Sequence, residues 1–159
     1  MKININRPKM DTVRWTCTRF EDLTPALLYE ILKLRSEVFV VEQHCVFLDM
    51  DDKDQGAWHL AGWYEDRLVA YTRLLPPGLT YAEASIGRVV SSPSVRRRGF
   101  GKELMEVSIQ QLWTLFGKQN IRIGAQLYLE QFYGSFGFVS QGEVYIEDDI
   151  PHMKMLLSI

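Results

Sequence analysis

The sequence lacks a long apolar run, has little cysteine, and carries no large excess of charge of one sign. No stretch approaches the roughly 20 consecutive apolar residues that a bilayer-spanning helix needs, so we predict no transmembrane segment and no membrane partner. Residues 1–7 also lack the apolar core and cleavage site of a signal peptide. Because Cys17 and Cys45 are too few for a disulfide framework, we expect a protein of the reducing cytoplasm.

The formal net charge of −2 argues against a nucleic-acid partner, since nucleic-acid-binding domains usually present a strongly basic face. The charge is nevertheless unevenly distributed along the chain. Residues 88–98 hold four arginines and no acid, whereas residues 42–54 hold Glu42 and four aspartates. Two interpretations stay open at this point. The segments form a basic site for an anionic ligand and an acidic patch for a cationic one, or both are solvated loops.

The order of predicted elements indicates one α/β domain over residues 1–159, without internal repeats. Thr24 and Pro25 are typical of a helix start, and the apolar stripe after them extends this helix to about Val41. We predict strands at 13–20, 58–64, 68–75, 84–90 and 121–126, two later helices ending near 117 and 136, and a closing hairpin of 139–146 with 153–157. These elements form a mixed sheet with one crossover between parallel strands.

The stretch RRRGFG (residues 96–101) joins a predicted strand to a predicted helix, an arrangement typical of an anion site. The free N–H groups and partial positive charge of a helix N-terminus attract an anion, and glycine lets the backbone approach it closely. The spacing excludes two common phosphate loops. Glu103 stands where a P-loop needs Ser or Thr, and Leu104 stands where a dinucleotide-binding fingerprint needs Gly. The pattern that fits is R-x-x-G-x-G.

This turn resembles the pyrophosphate loop of the GCN5-related N-acetyltransferases (GNATs), and most of the chain is similar to the ElaA-like branch of that family. The matching stretches, in the family's order, are LYEILKLRSEVFVVEQ (28–43), AYTRLLPPG (70–78), IGRVV (86–90), RRRGFGKELM (96–105), FYGSFGF (132–138) and GEVYIEDDIPHMKM (142–155). The resemblance implies the GNAT fold, which is an α/β fold. Its central mixed, mostly antiparallel sheet is splayed at the cofactor-binding strands and flanked by helices.

The resemblance further implies acetyl-CoA as the cosubstrate. Its pantetheine arm is expected between two splayed parallel strands, on main-chain groups of Val89 and Val90. The residues expected around its pyrophosphate and in the same turn are Arg96, Arg97, Arg98, Gly99, Phe100, Gly101 and Lys102. No metal is predicted, because the aspartates of residues 49–54 lack the Gly and Glu that a calcium loop needs.

The implied activity is direct transfer of the acetyl group to a primary amine of an unidentified acceptor. Tyr133 matches the family's general acid, the Tyr of FYxxxGF, and a phenol can protonate the departing thiolate. The alternative for Tyr133 is simple packing among the neighbouring phenylalanines. Glu42, Glu83 and His152 stay open as candidates for the general base.

Two other functions stay open: a CoA-binding module without turnover, acting as a sensor or interaction partner, and a phosphate-binding regulatory domain unrelated to CoA. A polyamine, an amino sugar and a protein lysine all fit the acceptor, and an exposed closing hairpin would permit a homodimer. Asp149 replaces the glycine that this branch commonly has in E-D-G-I-P-H. A turn that needs positive φ there is tolerated better by Asp than by most residues.

Overall fold

This computed structural model describes residues 12–159, which contain seven β-strands and three α-helices. Their bounds are β1 Arg14–Arg19, α1 Pro25–Arg35, β2 Trp58–Tyr64, β3 Arg67–Leu75, β4 Ser85–Ser91, α2 Phe100–Phe116, β5 Ile121–Gln126, α3 Glu130–Gly134, β6 Val139–Glu147 and β7 Ile150–Leu157. The N-terminal residues, in which no signal peptide is predicted, lie outside this range. No helix within the described range is both long and apolar enough to cross a membrane.

The strands form two antiparallel sheets, ordered β1-β2-β3-β4 and β5-β7-β6. β4 and β5 run parallel and meet near their starts, where Ala84 forms an isolated bridge with Ile121 and the Arg122 N–H donates to the Ala84 carbonyl at 3.0 Å. Beyond this bridge no pairing within residues 12–159 joins the two strands, so they diverge and leave a V-shaped opening. The predicted fold class, a mostly antiparallel α/β sheet splayed at two parallel strands, is confirmed.

The first helix begins where the sequence predicts and changes type before it ends. Thr24 caps it, since its hydroxyl oxygen accepts a backbone N–H of the first turn at 3.1 Å. The regular α-helix ends at Arg35, and residues 36–42 continue as a π turn, in which the Gln43 N–H donates to the Val38 carbonyl five residues back. The β-branched valines of the Val-Phe-Val-Val run crowd a regular helix, and they fall in this wider turn.

The closing hairpin is longer than predicted. β7 begins at Ile150, before the predicted start, and Pro151 lies inside it, paired with Ile146 of β6. Proline is disfavoured within a sheet except near the first residue of a strand, which is why the sequence predicts a later start. Asp148 and Asp149 form the turn with φ of 48° and 62°, so Asp149 adopts the left-handed conformation expected where the family commonly has glycine.

The helices cover both faces of the first sheet. Tyr71 of β3 packs with Ile31 of α1, and the hydroxyl of its neighbour Thr72 hydrogen-bonds Ser108 of α2 at 2.8 Å. Because successive residues of a strand point to opposite faces, α1 and α2 lie on opposite sides of β3. The largest apolar cluster joins α2 to residues of β4, β5, α3 and β7, and it therefore fixes the two sheets relative to each other.

Candidate active site

An open cavity of about 1000 Å³ occupies the space between the diverging strands β4 and β5. Its walls come from the π turn and the loop after it, β4, the glycine turn with the start of α2, β5, α3, and the tip of the β6–β7 hairpin. Concave sites of this size that are built from several elements are the usual places for small-molecule binding. The cavity is therefore the candidate active site.

β4 is bulged where it borders the cavity. It pairs with β3 up to Gly87 and again from Val90, whereas Arg88 and Val89 together stand opposite one residue of β3. Arg88 has φ 51°, in the left-handed region that residues other than glycine rarely occupy. Val89 and Val90, both predicted to bind a ligand through the main chain, line the cavity. The bulge interrupts the β3–β4 ladder there and leaves backbone groups available to a ligand.

The glycine turn, residues 96–101, carries the chain from β4 into α2. Arg97 has φ 67° and Gly99, the N-cap of α2, has φ 79°, so two left-handed residues reverse the chain. Gly101 lines the cavity, and a Cβ on it would meet no atom within 4 Å. Because α2 begins here, its first-turn N–H groups and its partial positive charge lie at the cavity rim. The turn has the features of an anion site.

The three consecutive arginines of this turn point in different directions. Arg96 lines the cavity and donates from Nη1 to the Glu42 carboxylate at 2.6 Å. Arg97 also lines the cavity, and no ion-pair partner lies near it in the described chain. The Arg98 guanidinium is outside the cavity, 5.4 Å from the centre of the Tyr64 ring. The structure therefore brings Arg96 and Arg97 to the cavity and separates Arg98 from it.

Three further members of the predicted cofactor-binding turn, Gly99, Phe100 and Lys102, do not line the cavity. Phe100 is buried, and its ring centre lies 5.4 Å from that of Tyr64. The Lys102 ammonium is exposed and lies 4.0 Å from Glu106 along α2. The Phe100 side chain thus anchors the start of α2 against β2.

Tyr133 of α3 lies on the cavity wall and is 6% exposed. Its ring packs edge-on against Phe132 at 5.1 Å and Phe138 at 6.2 Å between ring centres. Burial, with a smaller effect from Tyr128, raises the pKa of the Tyr133 phenol above its usual value. The residue is packed among phenylalanines and is also at the cavity, so the two roles considered for it are compatible, and its hydroxyl is protonated at neutral pH.

The three candidate bases fall in different places. Glu42 lines the cavity, but its carboxylate is bound to the glycine turn. His152 also lines the cavity; because a carbonyl can only accept, His152 Nδ1 donates to the Ile150 oxygen at 2.7 Å, and Nε2 lies 3.7 Å from a carboxylate oxygen of Glu147. Glu83 is not on the cavity wall. It accepts two hydrogen bonds from Arg122, at 3.0 and 2.9 Å, which hold its pKa below its usual value.

Three of the four aspartates of the acidic loop are bound to arginines and so are not available to a cationic substrate, whereas Asp52 is exposed. These three bind arginines of α1, β3 and β4, in the pairs Arg35–Asp49 at 2.8 Å, Arg35–Asp54 at 2.8 Å, Arg73–Asp54 at 3.0 Å, Arg73–Asp51 at 2.5 Å, Arg88–Asp51 at 3.5 Å and Arg88–Asp49 at 2.8 Å. These six side chains form a closed ring of alternating charge, which we call the Arg–Asp ring. The available signal was Arg73 inside an apolar strand, because a buried charge needs a partner.

The sequence carries no signal for two contacts that cross the opening. The side-chain amides of Gln43 and Gln126 hydrogen-bond at 3.2 Å, and the Cys45 thiol donates to the Asp148 carbonyl at 3.1 Å. Burial, together with the nearby carboxylates of Asp148 and Asp149, raises the pKa of the Cys45 thiol, so it is a poor nucleophile. No three His, Cys, Asp or Glu residues within 12–159 are placed to hold a metal ion.

Several known proteins are similar to this chain in sequence and in fold. The family model described as Acetyltransferase (GNAT) domain matches residues 31–159. A UPF0039 protein of Synechocystis is 39% identical over 148 residues, which are 92% of this chain and 96% of the relative. An acyl-CoA N-acyltransferase from Pseudomonas aeruginosa has a TM-score of 0.88 at 43% identity, covering 92% of this chain and 100% of that one. The crystal structure of Escherichia coli ElaA has a TM-score of 0.85 at 37% identity, covering 91% of this chain and 99% of that one. The chain therefore belongs to the GNAT family and is similar to ElaA within it.

Proposed function

We propose that the chain is an acetyl-CoA-dependent N-acetyltransferase that acetylates a primary amine. The observation that carries this proposal is the cavity between β4 and β5, bordered by the β4 bulge and by the glycine turn. Such a cavity combines a slot for an extended thioester arm with an anion site at its rim. Membership of the GNAT family supports the broader statement that the chain is an acyltransferase.

Acetyl-CoA would lie with its pantetheine arm between β4 and β5, hydrogen-bonded to main-chain groups of Val89 and Val90 as an added strand is. Its pyrophosphate would lie at the start of α2, where Gly99 and Gly101 let the backbone approach closely. Arg97 supplies a positive charge that no acid of the described chain neutralises, so it is the side chain best suited to the pyrophosphate.

The transfer joins the amine nitrogen to the acetyl carbonyl carbon and breaks the carbon–sulfur bond. A backbone N–H near Val90 would stabilise the negative charge that develops on the carbonyl oxygen. The departing thiolate takes a proton from Tyr133, whose phenol burial keeps protonated. The protonated amine first loses a proton to the base, which passes it to solvent, and the neutral amine then attacks. A second proton leaves the nitrogen after the attack, and its return to Tyr133 through the base and solvent leaves an amide, CoA thiol and unchanged enzyme.

We assign the role of base first to His152, because the residue lines the cavity and its Nε2 makes no hydrogen bond in the described chain, with the Glu147 carboxylate 3.7 Å away. Glu42 is the second candidate, since its carboxylate lies on the cavity wall but already accepts from Arg96. Glu83 lies outside the cavity and is bound to Arg122, so the proposed mechanism does not use it.

The acceptor is proposed only at the level of its chemistry, a primary amine. Glu147 and Asp148 line the cavity at the tip of the β6–β7 hairpin, and their carboxylates would attract a protonated amine. A polyamine, an amino sugar and a protein lysine all carry such a group.

The cellular setting and the assembly are proposed from separate features. Cys17 and Cys45 are free thiols, which suits the reducing cytoplasm. β6 is the outer strand of its sheet and exposes three apolar side chains, so it offers an edge for a homodimer: Val139, Val144 and Ile146.

The first test is titration calorimetry of acetyl-CoA and of 3′-phospho-ADP, the nucleotide half of CoA. We expect acetyl-CoA to bind more tightly than the nucleotide. Arg97→Glu should weaken acetyl-CoA binding about tenfold or more, because it reverses the charge at the pyrophosphate. Arg98→Glu should weaken it less, since that guanidinium lies on Tyr64, and Arg19→Glu, in an exposed ion pair, is the control that should leave binding unchanged.

Three results would overturn the proposal in different ways. Absence of acetyl-CoA binding at millimolar concentration would remove the acetyltransferase function altogether. Equal affinity for acetyl-CoA and 3′-phospho-ADP would indicate a phosphate-binding domain that ignores pantetheine. Tight acetyl-CoA binding without CoA release in the presence of spermidine, glucosamine or a lysine peptide would favour a CoA-binding module.

A further inference from the structure

The β4 bulge holds an unfavourable backbone conformation at the cavity wall. Of the strand residues that the structure describes, glycine excepted, Arg88 alone has a positive φ. Such a conformation persists only where the surroundings over-determine it. The neighbouring Val89 and Val90 are the residues proposed to contact the thioester arm, so whatever holds Arg88 also sets their backbone groups.

Asp49 holds Arg88 through both its side chain and its main chain. Arg88 donates from Nε to Asp49 Oδ1 at 2.8 Å and from Nη2 to the Asp49 carbonyl at 2.7 Å. The other carboxylate oxygen of Asp49 accepts from Arg35 Nε at 2.8 Å, and Arg35 is fully buried at the end of α1. Asp49 thereby links Arg88 of the bulge to Arg35 at the end of α1.

Only part of the Arg–Asp ring lies at the cavity wall. Asp51 and Arg88 line the cavity, whereas Asp49 is 6% exposed and is not part of its wall. Buried ion pairs contribute little net stability relative to apolar packing, and their best-attested use is to specify one arrangement among alternatives. A closed ring of three arginines and three aspartates next to a strained bulge fits that use.

We propose that Asp49 is a positioning residue for the acyl transfer, which acts through Arg88 to hold the β4 bulge in the conformation that receives the thioester arm. This inference rests on the proposed function, because it concerns the site between β4 and β5 that is proposed to bind the pantetheine arm. It differs from a purely structural role, since it requires that loss of the Asp49–Arg88 link weaken the binding of acetyl-CoA and leave the binding of the nucleotide half unchanged.

The test compares Asp49→Asn, Arg88→Met and the double variant with Arg19→Met, which makes the same change in an exposed pair. Amide hydrogen exchange of the ligand-free ring variants should be about tenfold faster at Gly87, Val90 and Ser91, which pair with β3 on either side of the bulge, and unchanged in β2. Acetyl-CoA affinity should fall about tenfold, with 3′-phospho-ADP affinity unchanged. The double variant should lose no more affinity for acetyl-CoA than Arg88→Met, because the inference has Asp49 act on the bulge only through Arg88. Arg88→Lys, which keeps the charge but cannot reproduce both donors, replaces Arg88→Met if that variant does not fold.

Unchanged exchange at Gly87, Val90 and Ser91 in Asp49→Asn would overturn the inference. So would equal losses of affinity for acetyl-CoA and for the nucleotide, or faster exchange throughout β2, because both indicate a role in overall stability. A wild-type protein that binds no acetyl-CoA would end the proposed function, and the ligand-free exchange would still decide whether Asp49 holds the bulge.

Discussion

At the scale of single residues, the Tyr133 hydroxyl can be separated from the ring that carries it. The ring is fixed by edge-on packing against Phe132 and Phe138, and phenylalanine at this position would keep that packing. Burial raises the pKa of the phenol, so the proton that the proposed mechanism gives to the leaving group is present throughout the physiological pH range. Removal of one oxygen atom therefore tests chemistry without disturbing the wall of the cavity.

Tyr133→Phe should lower kcat about 100-fold, which is typical for loss of a general acid, and should leave the Kd for acetyl-CoA unchanged. The measurement is release of CoA thiol with spermidine, glucosamine and a lysine peptide as acceptors. Tyr29→Phe, which removes a hydroxyl from an exposed residue of α1, is the matched control. An unchanged kcat in Tyr133→Phe would assign this residue to packing alone.

At the scale of the element, the start of α2 depends on two glycines that do different things. Gly99 has φ 79°, and a side chain there is strained even though no atom lies within 4 Å of its Cβ position. Gly101 lies in the first turn of the helix without a positive φ, and its Cβ position is also open. The same substitution should therefore have opposite effects on stability at these two positions.

Gly99→Ala should lower the free energy of unfolding by about 1 kcal/mol, because alanine resists the left-handed conformation. Gly101→Ala should raise it by roughly 0.5 kcal/mol, because alanine favours the helix and loses less chain entropy on folding. Urea denaturation measures both values. Changes of the same sign would contradict the backbone account of this turn.

The elements also show what sequence patterns can and cannot predict. Residues such as Thr24, Pro25 and Gly117 begin or end helices through interactions with their neighbours in the sequence. The sequence therefore predicts most strands and helices to within a few residues. The change to a π turn after Arg35 and the early start of β7 at Ile150 depend on packing against other elements, which no local pattern encodes. The directions of three adjacent arginines depend on backbone angles at one of them, Arg97.

At the scale of the whole molecule, the sequence predicts residues of the cavity but not the Arg–Asp ring beside it. The family's motifs placed Val89, Val90 and Tyr133 together, and all three line one cavity. The Arg–Asp ring joins α1, the loop after it, β3 and β4, so its pairs become visible only when the chain is folded. A motif predicts residue types at a site, and the fold decides which charges remain available there.

Stability of the whole molecule should also depend on pH through a buried histidine. His59 is 1% exposed, and because the Asp54 carbonyl can only accept, His59 Nε2 donates to it at 2.9 Å and Nδ1 accepts from the Tyr71 hydroxyl at 2.7 Å. The ring is therefore neutral, and burial lowers the pKa of His59 below its usual value. The unfolded chain gains this proton first as the pH falls, so acid favours unfolding.

The free energy of unfolding should fall as the pH decreases below about 6.5, by up to about 1.4 kcal/mol per pH unit. A second fall should follow below about pH 4. Burial acts to raise the pKa of Asp54, but the hydrogen bond from Arg35 outweighs it and holds that pKa below its usual value. Urea denaturation from pH 8 to 3 tests both falls, and His59→Gln should abolish the first while keeping the second. A wild-type protein of constant stability between pH 7 and 5 would contradict this account.

The bridge between Ala84 and Ile121 is the sole strand pairing that the described chain makes between its two sheets. Without a ligand, the two sheets are therefore separate hydrogen-bonded units, packed together mainly through the apolar cluster around α2. An extended arm hydrogen-bonded between β4 and β5 would join these units into one. The proposed arm would then act as an eighth strand, beside the seven that residues 12–159 form.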